Sequence, residues 1–202
     1  MDKDGAEVTA MAMTEAKVVE FPVSEAQAVS DERLLCALRN VAAGNLDALD
    51  EIWRLCADDF YGLALWSTGS RADAEDAVQE VFVRLVRTAG RVASARCPRA
   101  YLLAMVRRAA LDARRRRRDV ALDDPAALVG PAGDPAARLD ENRVSSLVAR
   151  LAPKLREAVF LRHFAELTFA DAARVMGVPT FTAASRYRLA LRRLRDWMGV
   201  ER

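Results

Sequence analysis

The stretch with the most distinctive chemistry lies near the C-terminal end, in TFADAARVMGVPTFTAASRYRLALRRLR, from Thr168 to Arg195. Thr168 and Asp171 have capping-box spacing, which predicts a helix start at that point. Gly177 stands where a left-handed C-terminal cap is wanted, and Pro179 forbids the helix to continue. A second helix then begins, which Thr180 could cap. Ala184, Tyr187, Leu191 and Leu194 fall on its core-facing side. Arg188, Arg192 and Arg195 share another side, and Thr182, Ser185 and Arg186 lie near its N-terminal end. In a helix-turn-helix, the early residues of the second helix meet base edges and the flanking arginines meet phosphates. An ordinary helical hairpin with a solvated basic face carries the same pattern, so this segment alone does not decide between the two.

A second informative stretch is DAEDAVQEVFVRLVR, Asp73 to Arg87. Val78, Val81, Phe82 and Leu85 form a buried stripe at helical spacing. Asp76, Gln79, Glu80 and Val83 are left on or near the outward face, and Glu80 and Arg84 make a favourable i, i+4 pair. Enzyme chemistry finds little support. His163 is the only histidine, and it lies in an apolar helical run beside Phe160 and Phe164. Cys36, Cys56 and Cys97 have no metal-like spacing and no obvious pairing, which favours a reducing compartment. No glycine-rich phosphate loop is present. The reading is of a protein that is not an enzyme and takes no cofactor and no metal.

Helices must position these groups. The 202 residues are 52% hydrophobic and 30% charged, as in globular proteins, with a net charge of only +2. That small sum hides local asymmetry: arginines gather at 107–118 and 186–195, acids in 119–141. Residues 1–30 read as a loose tail, with at most a short helix near Ser24–Ser30 and no signal-peptide pattern, and nothing is long and apolar enough to span a membrane. The expected location is the cytoplasm. From Asp31 helical periodicity is nearly continuous, broken at Gly44-Asn45, at Thr68-Gly69 and at a loop over Gly90–Pro98, and it runs on to the five arginines Arg114–Arg118. DVALDDPAALVGPAGDPAARLDEN then has linker chemistry. An all-α fold is predicted, with two small helical domains at 31–118 and 141–202 joined by a flexible acidic linker at 119–140.

Taken together, these segments resemble bacterial RNA polymerase sigma factors of the extracytoplasmic function (ECF) group of the sigma-70 family. AEDAVQEVFVRLVR resembles the family's clamp-binding helix, and YLLAMVRRAALDARRRRR its promoter-melting and minus-ten-reading segment. LAPKLREAVFLRHFAELTFADAARVMGVPTFTAASRYRLALRRLR resembles its minus-thirty-five-reading domain. The similarity runs in order from about Asp31 to Arg195.

The resemblance implies roles for the matching residues. Asp76, Gln79, Glu80 and Val83 would dock on the β′ clamp helices of core polymerase, with the β flap as a second contact. The loop around Arg91–Arg99, with Arg96, Arg99 and Tyr101, would hold an unstacked base of the melted non-template strand near the minus-ten element. Arg107, Arg108, Arg114 and Arg115, with the rest of the arginine run, would track phosphates. Thr182, Ser185 and Arg186, flanked by Arg188 and Arg192, would approach double-stranded promoter DNA at the minus-thirty-five element. An anti-sigma factor is a further expected partner. Several positions depart from the family's usual pattern: tyrosine replaces tryptophan at 101, Arg108 replaces asparagine, and Ala183, Ala184 and Leu189 replace larger or basic residues. The alternative is a helix-turn-helix regulator that recruits no polymerase.

Overall fold

Helix α1, Glu25–Ala42, sends Leu34, Ala37, Leu38 and Val41 into the core at i, i+3, i+4, i+7 spacing. The computed structural model describes residues 25–123 and 147–198. The expected boundary at residue 31 is corrected: residues 25–30, read from sequence as tail with at most a short helix, are the first turns of one continuous helix. Helix α2, Ala48–Thr68, buries Ile52, Cys56, Phe60, Leu63 and Ala64. It stops at Gly69, whose φ of 72° is left-handed and whose N–H donates to the Leu65 carbonyl at 2.8 Å.

Helix α3, Arg71–Ala93, starts as its sequence predicts: the Ser70 hydroxyl accepts the Asp73 N–H at 3.3 Å. The other half of the capping box is missing. The Asp73 carboxylate turns instead to Arg117 Nη1 on the next helix, 3.3 Å away. Helix α4, Pro98–Asp123, opens on proline, whose absent N–H is no loss in a first turn. It overruns the expected linker start at 119 because helix-compatible residues continue until Pro125 approaches. The rest of the predicted linker lies outside the described residues, as does the tail before residue 25.

The C-terminal half opens on a helical turn at 147–149, followed by α5, Pro153–Val159, and a π-helical turn, Phe160–Phe164. Helix α6 is Phe169–Met176 and α7 is Thr180–Met198. Leu147, Val148, Leu151, Leu155 and Val159 pack on Ala190 and Leu194 of α7.

The two halves do not stand apart. A single apolar cluster runs from Leu34, Phe60 and Leu102 through Phe160 and Leu161 to Ala172 and Val175. Trp66 meets Phe160 and Phe164 edge-on, with ring centroids 5.2 and 5.3 Å away. Phe160 can approach because position 62 is glycine; a Cβ there would lie 2.8 Å from its ring. Every element among the described residues is a helix, and none is a strand. None of their helices is long and apolar enough to cross a membrane.

Candidate nucleic-acid interface

The α3 stripe of Val78, Val81 and Leu85 is buried against α1, α2 and α4, which fixes what the opposite side presents. Asp76, Gln79 and Val83 are exposed on that side at i, i+3, i+7 spacing, with Glu80 half-buried beside them. Val83 is 64% exposed, an apolar group in the middle of a polar face. Glu80 is ion-paired with Arg84, and Arg116 reaches within 4.0 Å of it, whereas Asp76 makes no ion pair among the described residues. Two exposed apolar groups were not anticipated from sequence: Val86, one turn beyond Val83, and Trp53 of α2, whose ring sits 5.2 Å from that of Phe82. Trp53 carries no signal in the α3 periodicity, since it arrives from another helix.

Helices α3 and α4 meet around Tyr101. On one side a depression of about 350 Å³ is lined by Arg84, Arg87, Thr88, Arg91, Tyr101, Met105 and Arg108. On the other side Tyr101 borders a second depression with Arg96, Cys97, Ala104 and Arg174 of α6. Arg96 and Arg108 thus border Tyr101 from opposite sides. Arg91 belongs to the stretch expected near Tyr101, whereas Arg84 and Arg87 were not predicted as part of this site. A spacing of three and four residues places all three on one face of α3, a pattern visible in the sequence once α4 is known to lie alongside. An aromatic ring among guanidinium groups suits a nucleotide, which offers a base to stack on and a phosphate to pair with.

Arg99 is a correction. It is only 4% exposed, and its guanidinium is spent inside the fold. Its Nε donates to Asp31 at 2.8 Å, Nη1 to Asp59 at 2.7 Å and Nη2 to Ser30 at 2.8 Å. Burial works against the cation, but the hydrogen bond to Asp31 and the neighbouring charges outweigh it and raise its pKa. Arg99 ties α1, α2 and α4 together and is not available to DNA. The sequence had shown a basic residue beside an aromatic one, but not that two carboxylates from distant helices converge on it.

The remaining α4 arginines divide by environment. Arg107 is ion-paired with Glu157 of α5 across the seam between the halves. Arg114 lines a cavity of about 450 Å³ at the same seam, with Leu63, Trp66, Leu111, Pro153 and Lys154. Arg115 is exposed, while Arg117 is held by Asp73. His163 is exposed and sits edge-on to Phe164. No group of His, Cys, Asp and Glu among the described residues is arranged to hold a metal ion.

The C-terminal pair of helices has the expected turn. Thr168 accepts the Asp171 N–H at 3.1 Å. Gly177 has a φ of 65°, its N–H donates to Arg174 at 3.3 Å, and that of Val178 donates to Ala173 at 3.0 Å. This double bond pattern is a Schellman cap, and it turns the chain sharply. Helix α7 starts at Thr180 itself, with the Pro179 carbonyl accepting from Thr182 and Ala183, so Thr180 is not its cap. Tyr187 packs on Phe169, ring centroids 5.6 Å apart, and Ala183, Ala184, Ala190 and Leu194 are buried. The outer face that results carries Phe181, Ser185, Arg188, Leu189 and Arg192. Thr182 and Arg186 are half-buried on its flanks. The exposure of Phe181 was not foreseen, because nothing local distinguishes an outward phenylalanine from a core one.

Comparison with known proteins agrees with this architecture. The Sigma-70 region 2 family model matches residues 52–120, and the Sigma-70, region 4 model matches residues 141–194. The ECF RNA polymerase sigma factor SigK of Mycobacterium tuberculosis is 30% identical over 174 residues, covering 81% of this chain and 92% of SigK. SigC of the same species is 30% identical over 167 residues, covering 80% and 89%. Among solved structures, the sigma factor RpoE of Bartonella quintana, bound to the anti-sigma factor NepR, superposes with a TM-score of 0.66 at 20% identity. That match covers 78% of this chain and 100% of RpoE. CnrH, in complex with the cytosolic domain of CnrY, gives 0.57 at 20% identity, covering 86% and 99%. With this fold, both family models in order and relatives matched over most of their length, the chain belongs to the ECF RNA polymerase sigma factors.

Proposed function

We propose that the chain directs transcription initiation through three surfaces: an α3 face for core polymerase, the Tyr101 region for melted minus-ten DNA, and α7 for the minus-thirty-five element. The observation that carries this reading is the separation of charge along one rigid helix. Asp76, Gln79, Glu80 and Val83 occupy the N-terminal part of α3, whereas Arg84, Arg87 and Arg91 follow toward its C-terminal end. An acidic face with an apolar centre complements a basic helical surface such as the β′ clamp helices. The arginine-lined depression complements a nucleic-acid strand. On α7, Ser185, Arg188 and Arg192 present an outward polar face to duplex DNA, flanked by Thr182 and Arg186. Contact with the β flap would come from the C-terminal half. The chain performs no chemistry of its own; polymerase supplies it, in the cytoplasm. Two fold neighbours were solved in complexes, RpoE with the anti-sigma factor NepR and CnrH with the cytosolic domain of CnrY. An anti-sigma partner is proposed here on that basis.

The test is run-off transcription with purified core polymerase, comparing the wild-type chain with Asp76→Lys/Glu80→Lys. Promoter-specific transcripts from wild type, lost together with core binding in the variant, are expected. A variant that still supports transcription would refute the α3 assignment. A wild-type chain that binds DNA but never core polymerase would favour a plain helix-turn-helix regulator.

A further inference from the structure

The most exposed large apolar side chain of the described residues is Phe181, 69% exposed in the first turn of α7. Isolated apolar groups on a surface are common and mean little alone. Position gives this one meaning. Its inner neighbours Ala183 and Ala184 are buried, so the helix cannot roll to cover the ring without exposing them. Four and eight residues further along the same face come Ser185 and Leu189, and Leu189 is also exposed. The face that should meet DNA is therefore apolar at its leading end.

That composition limits what it can read. Arginine, lysine, asparagine and glutamine recognise bases through paired hydrogen bonds, and at this end of α7 the one such residue, Arg186, is half-buried on the flank rather than on the outer face. Arg188 and Arg192 come two and three turns later, and the Arg188 Nε lies 3.4 Å from the carbonyl of Ala184, along its own helix. In the major groove the one apolar group on any base edge is the thymine C5-methyl, and phenylalanine is among the side chains suited to it. The leading end of a recognition helix is also the part that reaches furthest onto the base edges.

We infer that Phe181 is a specificity-determining residue that packs on a thymine methyl in the upstream promoter element, with Leu189 extending the apolar strip. This rests on the sigma-factor reading above, and gives its α7 surface a defined preference. Arg188 and Arg192 then supply phosphate contacts that hold the helix in place.

Uracil differs from thymine only by that methyl, which makes the test specific. Holoenzyme assembled from the full chain would first select promoters from a pool randomised over the upstream element. Each thymine of the selected element would then be replaced by uracil in turn. Wild type should lose affinity at one position by about fourfold, the worth of one buried methyl group. Phe181→Ala should bind both forms equally, at the level of the uracil promoter, while Phe181→Leu should keep part of the discrimination. The inference is overturned if no single replacement affects wild type, or if Phe181→Ala remains as sensitive. It is also overturned if Phe181→Ala weakens binding to core polymerase without DNA, which would make the ring a protein contact. Wild type that selects a promoter but ignores the methyl loses only this inference. Wild type that neither binds core nor selects DNA loses the sigma-factor reading as well.

Discussion

Arg107 of α4 and Glu157 of α5 form an ion pair that joins the two halves of the chain. The pair holds an arginine of the proposed minus-ten surface against the C-terminal half, beside Trp66, Phe160 and the seam cavity. In this arrangement the Nε of Arg107 and part of its charge are committed to Glu157. Full use of that arginine on DNA would be favoured by parting of the seam.

Opening should be controlled mainly by the aromatic contact. Trp66→Ala removes a half-buried ring from both Phe160 and Phe164, at a cost of about 3 kcal/mol by analogy with other large-to-small aromatic changes. Arg107→Ala, in a pair that is partly solvated, should cost no more than about 1 kcal/mol. Small-angle X-ray scattering is expected to show a larger radius of gyration for Trp66→Ala and little change for Arg107→Ala. Gly62→Ala should act in the same direction as Trp66→Ala, since its methyl meets the Phe160 ring. A folded Trp66→Ala protein with unchanged scattering would show that the seam is held elsewhere.

The arginine-lined depression makes a prediction about salt. Replacing Arg87 and Arg91 with alanine should reduce the slope of log affinity against log salt by roughly 2, if each neutralises one phosphate. Sequence preference should be unaffected. Tyr101→Ala should instead impair strand opening, with a loss of about 1–3 kcal/mol if a base stacks on the ring. Permanganate footprinting of the melted region separates the two effects, and an unchanged salt slope in the double variant would remove those arginines from the interface.

Arg99→Met should unfold the protein more readily rather than merely weaken DNA binding. It leaves the Asp31 and Asp59 carboxylates without their cation, a loss of about 3 kcal/mol, at the low end for breaking a buried pair because Asp31 is partly exposed to water. Arg108→Met, at an exposed position, should stay within about 0.5 kcal/mol. Thermal denaturation distinguishes them; equal melting temperatures would contradict the buried cluster.

The thiols should react in order of their surroundings. Cys56 is buried beside the Arg99 cluster, and that burial pushes its pKa up to about 12, so it remains a neutral thiol at pH 8. Burial also raises Cys97, whereas Cys36 is exposed. Maleimide labelling of the native protein followed by peptide mass analysis should modify Cys36 first and Cys56 only after denaturation. Early labelling of Cys56 would mean that the first half of the chain opens readily.

Local rules made much of this fold legible. The Ser70 and Thr168 caps, the Gly69 and Gly177 stops, and the α3 stripe all depend on residues within a turn of one another. The outward set of Asp76, Gln79, Glu80 and Val83 followed from the same stripe. Features that depend on two helices meeting were hidden. Arg99 looks like any surface arginine until Asp31 and Asp59 are brought to it, and Arg84 and Arg87 join Tyr101 only when α4 lies against α3. Packing of one half on the other was hidden for the same reason, since Gly62 and Phe160 are far apart in the chain.

The Arg99 cluster also dictates where the chain can be cut. The region 2 family model begins at residue 52, but two of the three side chains that hold Arg99 come from Ser30 and Asp31. Leu34 and Leu38, on the same helix, have no solvent exposure at all. A fragment started at the family boundary would lose both the partners of a buried cation and one wall of the core. The smallest autonomous N-terminal fragment must therefore include α1 from before Ser30, about two dozen residues upstream of the region 2 family boundary.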